Sequence, residues 1–303
     1  MRELFTDDHE AFRESFAAFV QRELVPDYLE WEKAGIAPRH IYARAGEYGF
    51  VGMAVPTEWG GGGSRDFRFN VVIAEELAAA GIGGAGLGLT LHNDITTPYF
   101  VEYCNDEQAD RWLPGIASGA LITAIAMTEP SAGSDLQGIQ TTALLGDDGH
   151  YRLRGSKTYI TNGWHADLVI VVAKTQPQAG AKGTSLFLLE AGTPGFTKGK
   201  PLHKLGLKAQ DTCELFFDDV RLSPAQLLGG EAYLNKGFVC LMEQLPWERL
   251  QIAIGAVAAS QAAIQWTLDH VQSRKVFGQA LASFQNTRFK LAELQTEVQI
   301  AQV

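Results

Sequence analysis

The chain has 303 residues, of which 46% are hydrophobic and 20% are charged, so its composition is that of an ordinary globular protein. Its formal net charge of -10 argues against a nucleic-acid binder, since such proteins carry a basic patch or stripe. The same charge makes an anionic membrane surface a poor partner, while a few local cations would still suffice for an anionic small molecule. The length suggests about two domains, with one or three also possible.

Cysteine usage and the N-terminal residues bear on the compartment. Cys104, Cys213 and Cys240 are odd in number and far apart, and the sequence contains neither a Cys-x-x-Cys motif nor a cluster of histidines. This pattern favours reduced thiols in a cytoplasmic protein over a disulfide framework or a metal site. The start, MRELFTDDHEAF, has the features of neither a signal nor a transit peptide. The longest uncharged run, 250–268, contains Gln and Ser, which favours a buried helix over a membrane span.

The first third of the chain has helical periodicity. Apolar residues recur at i, i+4, i+7 and i+8, one stripe of a helix that Thr6 is placed to cap. The stripe comprises Phe12, Phe16, Phe19 and Val20. Further helices are predicted over 41–48 and 71–80, each ending at a glycine. The following GIGGAG matches G-x-G-x-x-G, but the helix predicted before it favours a flexible helix connection over a nucleotide loop.

The pattern changes near residue 121. Short β-prone runs separated by Gly, Pro, Asp or Asn are typical of a compact all-β unit, and helical periodicity returns at about Gly230. A last helix begins near Ser283. We therefore predict a multidomain α+β chain with three domains. They are an N-terminal all-α domain at 1–121, a middle β-barrel or β-sandwich domain at 122–229, and an incomplete C-terminal helical bundle at 230–303.

Two local features are candidates for chemistry. The segment AMTEPSAGSDLQG, residues 126–138, follows a β run and is rich in Thr, Ser and Gly. That composition suits a phosphate or the polar edge of a planar ring, and equally an ordinary strand-end turn. Pro246 predicts that a helix begins just before Glu248 and Arg249. Glu248 is then either a first-turn charge that favours the helix dipole or a catalytic acid beside an apolar helix face.

Residues 126–138 resemble the first signature of the acyl-CoA dehydrogenases at every defined position. Further similarity to this family extends along the whole chain, in SKTYITNG at 156–163, GLKAQDTCELFFDDVRLS at 206–223 and SRKVFGQALASFQNTRFKLAEL at 273–294. LPWERLQIA, at 245–253, is most similar to the long-chain branch. The resemblance implies the family's helix–sheet–helix fold, FAD as cofactor and a homotetramer built as a dimer of dimers. It further implies α,β-dehydrogenation of a fatty acyl-CoA in fatty acid β-oxidation, with electrons passed to an electron-transfer flavoprotein.

The resemblance also implies individual site residues. Contacts with the flavin are implied for Ile125, Met127, Thr128, Gly133, Ser134, Tyr159, Ile160 and Thr161. Contacts with the FAD of a neighbouring subunit are implied for Arg274, Phe277 and Gln285. Contacts with the acyl-CoA are implied for Ser134, Ala181, Lys182, Pro246 and Arg249. Glu248 is implied as the base that removes the α proton. Taken by themselves, Lys182 is equally a solvated loop charge and Arg274 a surface cation.

Two other functions stay open at this point. One is a catalytically silent, flavin-binding partner subunit of a hetero-oligomer, and the other is an oxidase or hydroxylase on the same scaffold. By analogy with the family, residues 78–100 border the acyl tunnel, where their small side chains would leave room for a long or branched chain.

Overall fold

The computed structural model describes residues 4–303, which form a helical region, a β-sheet and a second helical region in that order. The α-helices before the sheet are α1 (Asp7–Phe19), α2 (Tyr28–Ala34), α3 (His40–Glu47), α4 (Arg68–Ala79), α5 (Gly83–Thr90), α6 (Thr97–Tyr103) and α7 (Asp106–Ala117). The predicted helix stripe is confirmed, since Phe16, Phe19 and Val20 are buried. Thr6 occupies the N-cap position of α1, and its backbone N–H donates to His9 Nδ1 at 3.2 Å.

Two wide, π-helical turns extend α-helices in this region. One, Val20–Leu24, continues α1, and the other, Leu91–Thr96, joins α5 to α6 without a break. A π-helical turn holds one residue more than an α-helical turn, and such turns are frequent at functional sites. The second turn carries Asn93 and Asp94, and it leads directly into the helix that contains Tyr99.

The glycines after α4 serve close helix packing. Gly81 has φ = +72° and ends the helix as predicted, but the next glycines form α5, so the prediction of a flexible connection is wrong for them. A Cβ at Gly86 would lie 2.8 Å from Leu77 Cδ1, and one at Gly88 would lie 2.2 Å from Tyr42 Oη. These two glycines therefore let the side chains of Leu77 and Tyr42 pack closely against α5.

A curled seven-stranded sheet follows the helices. Its strands are β1 (Thr123–Ala126), β2 (Thr142–Leu145), β3 (Tyr151–Thr161), β4 (Leu168–Lys174), β5 (Thr184–Glu190), β6 (Phe196–Lys198) and β7 (Thr212–Leu222). β1 is parallel to β4, whereas β3 pairs antiparallel with β7. Alternate β4 residues pack into two different cores, with Ile170 in the core shared with helices and Val171 in the core inside the sheet. Burial on both faces explains why LVIVVA is continuously apolar.

The second helical region consists of α8 (Gly237–Ser273), a hairpin of β8 (Lys275–Val276) and β9 (Gln279–Ala280), and α9 (Gln285–Ala301). α8 packs against α4, α6, β5 and the wide turn at 91–96, so it connects the three parts of the molecule. The predicted fold class is confirmed, while the domain limits at 121/122 and 229/230 stay a prediction. Among residues 4–303, no helix combines the length and apolarity that crossing a membrane requires.

The structure corrects one helix start. Pro246 was expected in a first turn, but α8 begins at Gly237, about three turns before Glu248. The helix dipole acts within the first turn, so it gives no reason for a glutamate at position 248. A proline inside a helix also removes one backbone hydrogen bond, here the one to the carbonyl of Met242.

Candidate active site

The segment 126–138 leaves the end of β1 as an exposed loop. Glu129 and Ala132 exchange both backbone hydrogen bonds, at 2.8 and 3.1 Å, which closes a tight turn around Pro130 and Ser131. Beyond the turn, Gly133 is exposed, and a Cβ built on it would meet no atom within 4 Å. The outer side of the loop therefore presents backbone groups and hydroxyls to an open surface.

A buried ion pair lies beneath this loop. Lys157 Nζ is 2.8 Å from Glu129 Oε1, and the two side chains are 0% and 4% exposed. Lys157 Nζ also donates to the Met127 carbonyl at 3.0 Å, while the Glu129 carboxylate accepts from the N–H groups of Gln140 and Thr141 at 2.6 and 3.0 Å. The two side chains thus bind a backbone carbonyl near the start of the loop and two backbone N–H groups just after its end.

The ion pair also perturbs the pKa of each partner. Burial lowers the pKa of Lys157 to about 8, against the attraction of Glu129. Burial acts to raise the pKa of Glu129, but Lys157 and the loop hydrogen bonds outweigh it and hold that pKa below its usual value. Neither residue was among the predicted site residues, although MTEP and SKTYI contain them.

Tyr159 lies beside the loop in a left-handed backbone conformation, with φ = +58° and 69% of the side chain exposed. The N–H of Thr158 donates to the Thr128 carbonyl at 2.9 Å, which joins β3 to the loop. Strained backbone of this kind persists where the surroundings over-determine it, and it is common at ligand sites. Ile160 points into the sheet core, so only its backbone can reach a ligand.

These residues fit FAD. The exposed face of Tyr159 suits a planar ring system, and the half-buried Thr128 and Thr161 supply hydroxyls next to it. Small residues at 131–134 let backbone N–H groups approach a pyrophosphate closely. Ile125 and Met127, also half-buried, complete the apolar part of this surface.

The residues expected to contact coenzyme A lie in the 3-10 segment Pro177–Gly183, between β4 and β5. This segment lies against residues 136–138, where Lys174 Nζ donates to the Gln137 carbonyl at 3.0 Å. Ala181 is half-buried and Lys182 is exposed. A cation is thereby available close to the end of the signature loop, which suits an anionic ligand.

Glu248 lies where α8 meets α6. Tyr99 Oη donates to Glu248 Oε1 at 2.8 Å, and the Tyr99 side chain is completely buried. Burial raises the pKa of Glu248, while the Tyr99 hydrogen bond and the charge of Arg249 limit the rise. A half-buried carboxylate with a raised pKa is suited to remove a proton near neutral pH. Tyr99, which is 149 residues away along the chain, was not among the predicted site residues.

Beyond Glu248, α8 exposes a strip of apolar or small residues. Ile252 is 58% exposed, Ala259 is exposed, and a Cβ on Gly255 would meet no atom within 4 Å. The strip is therefore open to a flat apolar ligand. Pro246 and Arg249 are exposed on the same helix, next to the carboxylate.

Arg274 directly follows α8, Phe277 lies in the turn of the hairpin, and Gln285 begins α9; all three are exposed. Phe277 is 96% exposed in a left-handed conformation, with its ring centroid 6.4 Å from that of Phe284. An aromatic ring and a cation displayed in this way suit a contact with another molecule, as expected for the FAD of a neighbouring subunit.

The helix–sheet–helix fold and the surface around the signature loop define an acyl-CoA dehydrogenase. The N-terminal, middle and C-terminal domain models of that family match residues 6–120, 124–220 and 235–303. The chain belongs to the acyl-CoA dehydrogenase family and is an oxidoreductase with FAD as its cofactor.

Among its relatives, the chain is similar to the mitochondrial long-chain specific acyl-CoA dehydrogenase of Sus scrofa. The two are 47% identical over 300 residues, which cover 98% of this chain and 68% of the relative. The crystal structure of an acyl-CoA dehydrogenase from Geobacillus kaustophilus has a TM-score of 0.94 at 46% identity and covers 99% of this chain and 78% of that chain. A Bacillus anthracis acyl-CoA dehydrogenase complexed with FAD has a TM-score of 0.91 at 30% identity, covering 99% and 51%.

Proposed function

We propose that the chain dehydrogenates a long-chain fatty acyl-CoA to the trans-2-enoyl-CoA, with Glu248 as the base. The observation that carries the proposal is the Glu248 carboxylate itself. It is half-buried in mid-helix, it accepts a hydrogen bond from buried Tyr99, and it borders an open apolar strip.

In this reaction Glu248 removes the α proton of the thioester. Burial keeps the carboxylate basic, and Tyr99 Oη orients it by holding Oε1, which leaves the other oxygen for the proton. The chemistry that bound FAD would supply is that of an acceptor for the hydride of the β carbon. Thr128, Ser134, Tyr159 and Thr161 would hold the cofactor, and Gly133 would admit its phosphates close to the backbone.

Substrate binding would use both ends of the site. Lys182 and Arg249 supply exposed positive charge for the phosphates of coenzyme A, with Ala181 and Pro246 beside them. The apolar strip from Ile252 to Ala259 would accept the acyl chain. The preference for long chains is supported by the 47% identity with the long-chain specific relative.

We also propose an electron acceptor and an oligomeric state for the protein. An electron-transfer flavoprotein would reoxidise the cofactor, and a homotetramer would bring Arg274, Phe277 and Gln285 to the FAD of a neighbouring subunit. The exposure of these three residues, on the hairpin and at the helix ends beside it, supports an intersubunit contact. Location in the cytoplasm stays a prediction.

Anaerobic reduction of the bound flavin by acyl-CoAs of increasing chain length tests the activity. We expect the yellow absorbance to be lost fastest with long chains. A protein that keeps its colour with every thioester would be the silent subunit considered above. Release of hydrogen peroxide in air at the rate of substrate consumption would identify an oxidase instead.

A further inference from the structure

Thr161, one of the residues that we propose hold FAD, depends on its backbone for the direction of its hydroxyl. The side chain is half-buried, and the hydroxyl makes no hydrogen bond within residues 4–303. Threonine is β-branched and therefore restricted at χ1, so the backbone largely decides where the hydroxyl points. Whatever fixes the backbone at Thr161 therefore also fixes its contact with the flavin.

The two neighbours of Thr161 hold that backbone. Ile160 is 3% exposed in the core inside the sheet, where it pairs with Cys213 of β7. Asn162 is completely buried and has a left-handed backbone conformation, with φ = +61°. Glycine and asparagine adopt this conformation more readily than other residues. The left-handed residue directly follows the last residue of β3, which is Thr161.

The side chain of Asn162 does more than this turn requires, since glycine would allow the same backbone. Asn162 Nδ2 donates to the carbonyls of Gly88 in α5 and Thr123 in β1, at 3.0 and 3.3 Å. Asn162 Oδ1 accepts from Tyr42 Oη in α3 at 2.9 Å and from Gln210 Nε2 at 3.0 Å. An amide has two N–H donors and two acceptor lone pairs, so all of its hydrogen-bonding capacity is used. A buried polar network that is completely satisfied in this way is rigid.

Gly88 provides the space for this network. A Cβ on Gly88 would lie 2.2 Å from Tyr42 Oη and 2.9 Å from Asn162 Oδ1. Glycine is unfavourable inside a helix, and these contacts explain its presence in α5. Burial raises the pKa of Tyr42 well above its usual value, so the hydroxyl keeps its proton and stays a donor.

We propose that Asn162 is a positioning residue for the flavin, which is held by Tyr42 and in turn fixes Thr161 so that its hydroxyl meets the cofactor. The inference rests on the proposed function in one respect, because it takes Thr161 as a contact of FAD. Tyr42 is 120 residues from Asn162 along the chain. The helical region thereby takes part in arranging a flavin contact that a strand of the sheet carries.

Tyr42→Phe tests the proposal, because it keeps the ring and removes one hydrogen bond to Asn162. The dissociation constant of FAD, measured from the fluorescence released when the loaded protein is diluted, should rise about fivefold. The absorption band of the bound flavin should shift in the same direction as in Thr161→Val. Tyr28→Phe is a matched control, since Tyr28 Oη in α2 donates to Glu32 Oε1 at 2.8 Å without contacting Asn162. It should lower stability to urea similarly and change neither flavin measurement.

A double-mutant cycle shows whether Tyr42 acts through Thr161. In a Thr161→Val background, Tyr42→Phe should change the dissociation constant of FAD by less than about twofold, because the hydroxyl to be positioned is gone. An equal change with and without that hydroxyl, or the same loss of affinity in Tyr28→Phe, would overturn the proposal and leave Asn162 as a structural residue. If Tyr42→Phe does not fold, Gln210→Met removes the other donor to Asn162 Oδ1 and should give the same results.

Thr161→Val by itself separates this inference from the proposed function. Unchanged FAD affinity in that variant would remove Thr161 from the proposed flavin site, and the positioning role of Asn162 with it. Weaker FAD binding in Thr161→Val that is not coupled to Tyr42 would overturn the positioning role alone.

Discussion

Lys157 and Glu129 form an ion pair that is shielded from solvent beneath an exposed loop, and together they hold the carbonyl before the loop and two N–H groups after it. The pair anchors the loop that we propose binds FAD. Both charges are therefore needed to hold this loop in its conformation.

Replacing Lys157 by Met should destabilise the protein by about 3 kcal/mol, because Glu129 is left as an unpaired buried charge. It should also weaken FAD binding, since the Met127 carbonyl loses its donor. Urea unfolding and fluorescence titration of the apoprotein with FAD measure the two effects. Arg152→Met, in the same strand, removes an exposed ion pair with Asp148 and should change neither. The loop does not depend on the ion pair if Lys157→Met binds FAD normally.

Glu248→Gln should retain bound FAD and lose the rate of flavin reduction by roughly 10²-fold or more, the usual effect of removing a general base. Stopped-flow measurements with an acyl-CoA under nitrogen give this rate. Glu243→Gln is a matched control, because Glu243 lies on the same helix and accepts from Tyr103 Oη at 2.9 Å, in parallel with Glu248 and Tyr99. Near-normal reduction in Glu248→Gln, or an equal loss in both variants, would contradict the assignment of the base.

Tyr99→Phe should shift the pH dependence of flavin reduction upward. The reaction needs the ionised carboxylate, so its rate rises as pH passes through the pKa of Glu248, which burial has already raised. Tyr99 stabilises the ionised form, so its loss raises that pKa further. The maximal rate of flavin reduction, reached at high pH, should change much less. An unshifted profile with a lower plateau would show that Tyr99 only shapes the site.

His92 should make the fold sensitive to acid. Its ring is buried between the Ile116 carbonyl, 3.0 Å from Nε2, and Thr123 Oγ1, 2.7 Å from Nδ1, and burial lowers its pKa to about 4. Between pH 6.5 and 4 the unfolded chain binds a proton that the folded chain does not, so stability falls with pH by up to about 3 kcal/mol. Urea unfolding at several pH values should show a flatter dependence for His92→Gln. His203→Gln, at an exposed position, should behave as the unmodified protein; equal slopes in both variants would reject this role.

Much of the architecture could be predicted, because helix stripes, β runs and the signature at 126–138 are local patterns. Two errors have a physical cause. Pro246 indicated a helix start because proline favours first turns, but packing of α8 against three other regions overrides that preference. The glycines of α5 were taken as flexible, because no local pattern reveals that Leu77 and Tyr42 fill the space beside them.

The site was predicted less completely than the fold. Glu248 was found through the resemblance, whereas its partner Tyr99 lies in another helix, and only tertiary structure brings the two together. The same holds for the hydrogen bond from Asn70 in α4 to Asp94 in the wide turn. Sequence spacing carries no information on such contacts between distant segments.

The wide turn at 91–96 determines the direction in which the side chains of the following helix, α6, point. One residue of an α-helix corresponds to a rotation of about 100°, so the extra residue turns all of α6 by that angle relative to α5. Removing a single residue from the turn would rotate α6 by that angle and swing Tyr99 away from Glu248. One inserted residue thus sets the angular alignment of α6, and a chain with a regular turn there could not keep the hydrogen bond between Tyr99 and Glu248.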